Sequence, residues 1–187
     1  FCDCGSYAKT TYRFCDCGTT SKNKEMPDWK KIINPWTELG KEEYNCFMCS
    51  PTNPKGPHLS FHEDGDAAVT RRLPSRDYEG WKGVIHGGIQ ATIIDETAGW
   101  TVLRKLQTSG VTTRLNLKYR KPVPSQGTMP IEVRCRIVEM KHSFAILKAE
   151  LRVNSEVHTE ADLTFFCYPE EKARTEFGFS ECKVEGE

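Results

Sequence analysis

The sequence predicts an α+β fold, a strongly twisted antiparallel sheet wrapped around one long central helix. Two observations carry this expectation. A proline-free, largely apolar stretch from Gly88 to Gln107 would form a helix about 30 Å long, at 1.5 Å per residue. Downstream of it, four segments alternate apolar and polar residues with the period of a strand. Strands with one apolar face need a cover, and this helix is the only element large enough to supply it.

A length of 187 residues suits one domain with a substantial core and a small appendage. The sequence divides into an N-terminal extension at 1–26, a main domain at 27–168 with an N-terminal helical segment, and a C-terminal extension at 169–187. The 26 basic and 26 acidic residues cancel, so overall charge predicts no nucleic-acid partner and no attraction to anionic lipid. No apolar run approaches the roughly 20 residues of a membrane span. Nine cysteines, an odd count without a signal-peptide pattern, favour a reducing compartment over a full disulfide framework, and the expected location is cytoplasmic.

Residues 1–24 hold an imperfect repeat, Phe1-Cys2-Asp3-Cys4-Gly5 and Phe14-Cys15-Asp16-Cys17-Gly18. Two Cys-x-Cys pairs offer a tetrahedral thiolate set for structural zinc at Cys2, Cys4, Cys15 and Cys17. The spacer is shorter than in most such sites, and a local disulfide or a disordered tail is the favoured reading. Residues 27–39 predict a short helix with Pro27 near its start and a break at Asn34-Pro35, presenting Trp29, Ile32, Ile33 and Trp36 on one side. Cys46 and Cys49 would ligate a metal only with partners from elsewhere; small buried residues ahead of the first strand is the simpler reading.

His58 to His62 reads as a strand ending at the Asp64-Gly65 turn, with Ala67 to Leu73 returning. His58 and His62 are expected as surface or edge histidines. Ser75 to Lys82 reads as a loop whose Asp77, Tyr78 and Trp81 either rim a pocket or pack on the surface. After the helix, Thr113, Leu115, Leu117 and Tyr119 form one face of a strand, stopped by Pro122 and Pro124. Met129 to Met140, Phe144 to Val153 and Val157 to Cys167 are the remaining strands, and the last twenty residues read as a surface extension.

The chemistry concentrates in the helix and its approach, His86-Gly87-Gly88 and Asp95-Glu96. Backbone N–H groups at a helix start have no internal partner and sit at the positive end of the dipole, so Gly87 and Gly88 suit polarisation of a carbonyl. Equally, they let the helix start pass close to a strand. Desolvation favours the protonated form of a carboxylate held on an apolar face, the environment of a general base. Asp95 and Glu96 point to different sides of the helix, so at least one is expected in a pocket or subunit interface. The helix start and Asp95 lie about 10 Å apart along one helix, so a site using both needs a second copy. No Walker or dinucleotide signature is present.

These residues resemble a known family. His86-Gly87-Gly88, Asp95 nine residues after the histidine, Gly99, and the strand Thr112 to Val123 are similar to the hotdog-fold acyl-CoA thioesterases of the PaaI-like branch. The segment Cys46-Phe47, Cys49, Asn53-Pro54-Lys55-Gly56 and Leu59-Ser60-Phe61 resembles that of many members, and the likeness covers residues 40–168. It implies a hotdog fold with a five- or six-stranded sheet and a homodimer joined edge to edge, often doubled to a homotetramer. It also implies hydrolysis of an acyl-CoA or acyl-carrier-protein thioester without a required cofactor. By this resemblance Asp95 is the general base, or less often a nucleophile, Gly88 N–H of the other subunit polarises the carbonyl, and His86 orients the loop or contacts the thioester. Thr112 or Thr113 would help hold water, Arg120 and Lys121 are candidates for coenzyme A phosphates, and Glu96 is a second candidate carboxylate. The loop before His86 has no asparagine or glutamine of the kind some members supply, and Gly80 is near the matching place. The alternative functions are a non-catalytic acyl-ligand-binding dimer and an acyl-CoA hydratase or dehydratase.

Overall fold

The computed structural model describes residues 28–37 and 43–187. The N-terminal cysteine repeat, and with it every zinc, disulfide or tail reading of Cys2, Cys4, Cys15 and Cys17, lies outside the described residues.

The predicted α+β architecture is present. Helix α1, Gly87–Leu106, is twenty residues long, and Gln107 closes it in the left-handed conformation at φ 50°. Its buried residues, including Ile93, Ile94, Ala98, Trp100 and Val102, face an antiparallel sheet of seven strands. In chain order these are β1 (Lys30–Lys31), β2 (Phe61–Asp64), β3 (Ala67–Arg72), β6 (Gly110–Tyr119), β7 (Ile131–Lys141), β8 (Phe144–Val153) and β9 (Glu156–Cys167). Spatially they run β1-β2-β3-β7-β8-β9-β6, so β6 forms one edge. A small separate pair, β4 (Glu79–Trp81) and β5 (Val84–Ile85), leads into the helix.

The alternation expected in the later strands is realised. Ala145, Leu147, Ala149, Leu151 and Val153 of β8 are buried, as are Thr159, Ala161, Leu163, Phe165 and Cys167 of β9. Against them lie Ile131, Val133 and Cys135 of β7. Each fully buried aliphatic side chain contributes about 1.5–3 kcal/mol relative to exposure, so these three strands and α1 form the stable centre.

Three expectations are corrected. The helix predicted near residues 27–39 is not formed among the described residues 28–37; β1 and a turn occupy that segment. The reason is long-range pairing: Ile32 N–H donates to Phe61 O at 2.8 Å and Ile33 N–H to Lys183 O at 2.8 Å. Ile32 is buried at its bridge to Val184, and Ile33 is left exposed. The first strand of the hairpin begins at Phe61, not at His58, whose backbone is left-handed at φ 53°. The sheet has seven strands where five or six are implied, β1 being an addition at its edge.

The last twenty residues are also more than a surface extension. Helix α2, Glu170–Phe177, ends at Gly178 with φ 60°, and the chain turns back into the core. Phe179, Cys182 and Val184 are buried, and Val184 bridges to Ile32. Phe179 lies 6.0 Å from the Trp36 ring, which in turn packs edge-on against Trp100 of α1 at 6.3 Å. The charged composition of 170–187 conceals these few apolar anchors.

A polar cluster fastens the helix end to the same region. Arg104 donates to Glu63 at 2.8 Å and to Cys182 O at 2.8 Å, and Lys105 also reaches Glu63. Burial works to raise the Glu63 carboxyl, but the hydrogen bonds from Arg104 and Lys105 outweigh it and hold it below the ordinary 4.5. A depressed folded value adds stability at neutral pH that disappears as pH falls through it. Glu63→Gln should therefore destabilise by about 1–2 kcal/mol near neutrality, discounted for partial solvent screening. The gap from wild type should narrow in urea melts as pH falls below 4.5 and close once it passes the depressed folded value. Phe179→Ala should cost about 3–5 kcal/mol in the same melts, against near-neutrality for a peripheral tail.

Candidate active site

The approach to α1 is held at both ends. Ile85 N–H donates to Val123 O and His86 N–H to Tyr78 O, each at 2.8 Å. These contacts present His86 at the helix N-cap, where its Nδ1 accepts from Gly88 N–H at 2.9 Å. Nε2 is then the ring nitrogen that carries the proton. The Gly88 N–H assigned by resemblance to a carbonyl is thus engaged by the His86 ring in this arrangement. The ring packs directly on Gly80, where an added Cβ would lie 2.8 Å from His86 Cδ2. Gly80 fits because its position is filled by histidine.

Gly87 has a different reason. Tyr119 Oη donates to Gly87 O at 2.9 Å, and a Cβ on Gly87 would meet that hydroxyl at 3.2 Å. The close pass between helix start and strand, one of the two readings of the glycine pair, is realised here. The sequence pattern does not single out Tyr119, whose only signal is its place at the end of the apolar alternation. A cleft of about 750 Å³ is lined by Trp81, His86, Gly87, Tyr119, Arg120 and Lys121. Of the loop residues expected at a pocket rim, Trp81 lines this cleft, Tyr78 packs against the core and Asp77 bonds to Ser75. Arg120 pairs with Glu160 at 2.6 Å and Lys121 with Glu156, both in exposed positions. Such exposed pairs contribute little and yield readily to a stronger anion.

Asp95, half-buried, lines a second cleft of about 380 Å³ together with Cys46, Cys49, Glu96, Gly99 and Thr112. Thr112 Oγ1 donates to Asp95 Oδ1 at 2.6 Å. A bulge makes this possible. Thr112 pairs with Phe165 and Arg114 with Thr164, so Thr113 is an extra residue in the ladder. Strict alternation would place Thr113 with Leu115 on one face; the bulge places Thr112 there instead. Thr113 turns out and donates to Thr164 O at 3.0 Å.

Glu96 is occupied differently. Its Oε1 accepts from Trp100 Nε1 at 3.0 Å and from the Cys49 thiol at 2.7 Å, with Cys46 Sγ at 3.5 Å. Tyr44 Oη lies 2.8 Å from Cys49 Sγ. The hydrogen bond from Cys49 pulls the Cys46 thiol below its ordinary value; the same contact, followed by burial, pushes Cys49 up. Burial likewise pushes the Tyr44 phenol up, reinforced by Cys49.

Within one chain the structure therefore makes two clefts. His86, Gly87, Arg120 and Lys121 line one, while Asp95 and Thr112 line the other. The two halves are not brought together.

Residues 82–158, which carry the helix start, Asp95 and Thr112, match the family described as Thioesterase superfamily. The acyl-coenzyme A thioesterase THEM4 of Rattus norvegicus is 29% identical over 99 residues, covering 52% of this chain and 41% of that protein. The match thus spans about two fifths of the curated relative. A hypothetical thioesterase from Streptococcus pneumoniae TIGR4, solved with coenzyme A, superposes with a TM-score of 0.54 at 18% identity, over 59% of this chain and 85% of that one. A point mutant of the phenylacetic acid degradation protein PaaI from Thermus thermophilus gives 0.52 at 18%, over 58% and 91%. The architecture is hotdog-like, and the similarity to the thioesterase superfamily lies in residues 82–158. The chain is similar in sequence to THEM4 and in fold to PaaI. Among the described residues, no helix is long and apolar enough to cross a membrane.

Proposed function

We propose that the chain hydrolyses an acyl thioester of coenzyme A or an acyl-carrier protein, with Asp95 activating water. The observation that carries this reading is the short Thr112 to Asp95 hydrogen bond in a cleft on the middle of α1. Thr112 fixes one carboxylate oxygen, and the carboxylate takes a proton from a water as that water's oxygen attacks the thioester carbon. The tetrahedral intermediate collapses with cleavage of the C–S bond. The departing thiolate takes the proton back from Asp95, releasing free thiol and carboxylic acid.

Negative charge on the carbonyl oxygen needs a donor, and Asp95's own cleft contains no helix start. The second half is proposed to come from a second copy. Strand β6 is an edge with ten residues, and Val111 and Tyr119 on it are exposed. Antiparallel pairing of two β6 edges would join the sheets into a homodimer and set each Asp95 against the partner's helix start; a homotetramer would double this unit. In that site His86 Nε2–H is a ready donor, and rotation of its ring releases Gly88 N–H as another. Arg120 and Lys121 lie beside His86 in the first cleft, suited to coenzyme A phosphates. The coenzyme A bound by the pneumococcal protein and the activity named for the rat relative support the carrier and the reaction.

Across a panel of acyl-CoA and acyl-carrier thioesters, Asp95→Asn should lower kcat at least about a hundredfold, the scale of a lost general base. Thr112→Val should lower it about tenfold and Thr113→Val hardly at all. Full turnover by D95N would remove the assignment. Acyl-CoA binding by wild type without thiol release would place the chain among non-catalytic binders. The shared site has its own check. Subunits of D95N and His86→Ala, each impaired alone, should recover roughly a quarter of wild-type activity after mixing and exchange. No recovery between variants that demonstrably exchange would mean that each site lies within one chain.

A further inference from the structure

Glu96 is left over from the proposed reaction, and what surrounds it is unusual. Cys46 Sγ, Cys49 Sγ and a Glu96 oxygen lie within 4.8 Å of one another. Three donors, Cys46, Cys49 and Trp100, converge on the single oxygen Oε1. Thiols are weak donors, so hydrogen bonding alone gives a poor account of two half-buried or buried cysteines gathered on one carboxylate.

We propose that Cys46, Cys49 and Glu96 form a binding site for one divalent zinc ion. The ligand set is two thiolates and one carboxylate, a borderline-soft combination that favours zinc over magnesium or calcium. Bond lengths of about 2.3 Å to sulfur and 2.0 Å to oxygen put a tetrahedral sulfur–oxygen edge near 3.5 Å. The Cys46 to Glu96 separation is 3.5 Å, whereas the 2.7 Å of Cys49 would lengthen by about 0.8 Å as zinc replaces the thiol proton. Two protons leave with binding, one from each cysteine.

The surroundings match those of a metal centre, because each ligand atom has its own outer donor. Met48 N–H points to Cys46 Sγ at 3.4 Å, the Tyr44 hydroxyl reaches Cys49 Sγ at 2.8 Å, and Trp100 Nε1–H holds Glu96 at 3.0 Å. Such contacts orient ligands and stabilise thiolate and carboxylate charge. The Cys-x2-Cys segment is itself a tight turn, with Ser50 N–H donating to Cys46 O at 3.2 Å. All three ligands line the Asp95 cleft, so the fourth position opens to water there. Zinc would tie the segment ahead of the first hairpin to the middle of α1, joining residues about fifty apart in sequence. This inference stands apart from thioester hydrolysis.

The test uses the full chain, purified without chelators or a metal-affinity tag, with Cys2, Cys4, Cys15 and Cys17 replaced by serine so that only this site is read. Mass-spectrometric metal analysis should find about one zinc per chain after zinc loading and dialysis, falling below about 0.2 in Cys49→Ser. Cobalt in place of zinc should give thiolate-to-metal absorption that is lost in Cys46→Ser and shifted in Glu96→Gln. Should a variant fail to fold, the unsubstituted site decides the matter: zinc should slow alkylation of Cys46 and Cys49 at least about tenfold. Less than about 0.2 zinc per chain with unchanged alkylation would overturn the proposal, as would a Cys46–Cys49 disulfide persisting in reduced, zinc-loaded protein.

Discussion

Two adjacent carboxylates, Asp95 and Glu96, half-buried in the middle of an otherwise apolar helix, are the constraint on which the rest of the structure depends. A buried carboxylate is costly unless hydrogen-bonded, and α1 itself supplies Trp100 Nε1–H to Glu96 but leaves Asp95 to another element. The fold answers each separately. Strand β6 contributes Thr112 to Asp95, and the segment ahead of the first hairpin contributes Cys46 and Cys49 to Glu96, with Trp100 one helical turn away. The neighbouring residues thus acquire different environments although only one peptide bond separates them. One is tied to a hydroxyl at the sheet edge and the other to two thiols and an indole.

The helix start obeys a similar economy of space. Gly80, Gly87 and Gly88 all lie where a Cβ would crowd His86 or Tyr119. The histidine ring caps the helix through Gly88 while resting on Gly80, and Tyr119 reaches across to Gly87 O. Helix start and sheet edge are consequently held in one piece. A second chain pairing along β6 would meet a preformed surface rather than a loop that must first be ordered, and preorganisation of this kind lowers the entropic cost of association.

Stability and site are joined through residues remote in sequence. Trp100 stacks on Phe61 of β2 at 4.8 Å between ring centres while its indole N–H holds Glu96. Trp36 bridges Trp100 to Phe179 near the C-terminal end, and Arg104 closes the far end of α1 onto Glu63 and Glu187. The terminal segments therefore brace the helix that carries the carboxylates.

Much of this was legible in the sequence. The periodicity of residues 131–167, the length of α1, the special character of His86-Gly87-Gly88 and the placement of Asp95 and Glu96 on different sides of a helix follow from local pattern alone. The sequence by itself determined the elements and the candidate groups, because side-chain period and helix geometry are local properties. Tertiary structure decided the partners. Thr112 rather than Thr113 meets Asp95 because of a bulge that alternation cannot reveal. Residues 30–33 became extended, with a strand at Lys30–Lys31 and a bridge at Ile32, because Phe61 and Lys183 offered backbone partners, and Cys46 and Cys49 found Glu96 across about fifty residues of chain. Each of these outcomes depends on a contact between distant segments, which no local pattern encodes.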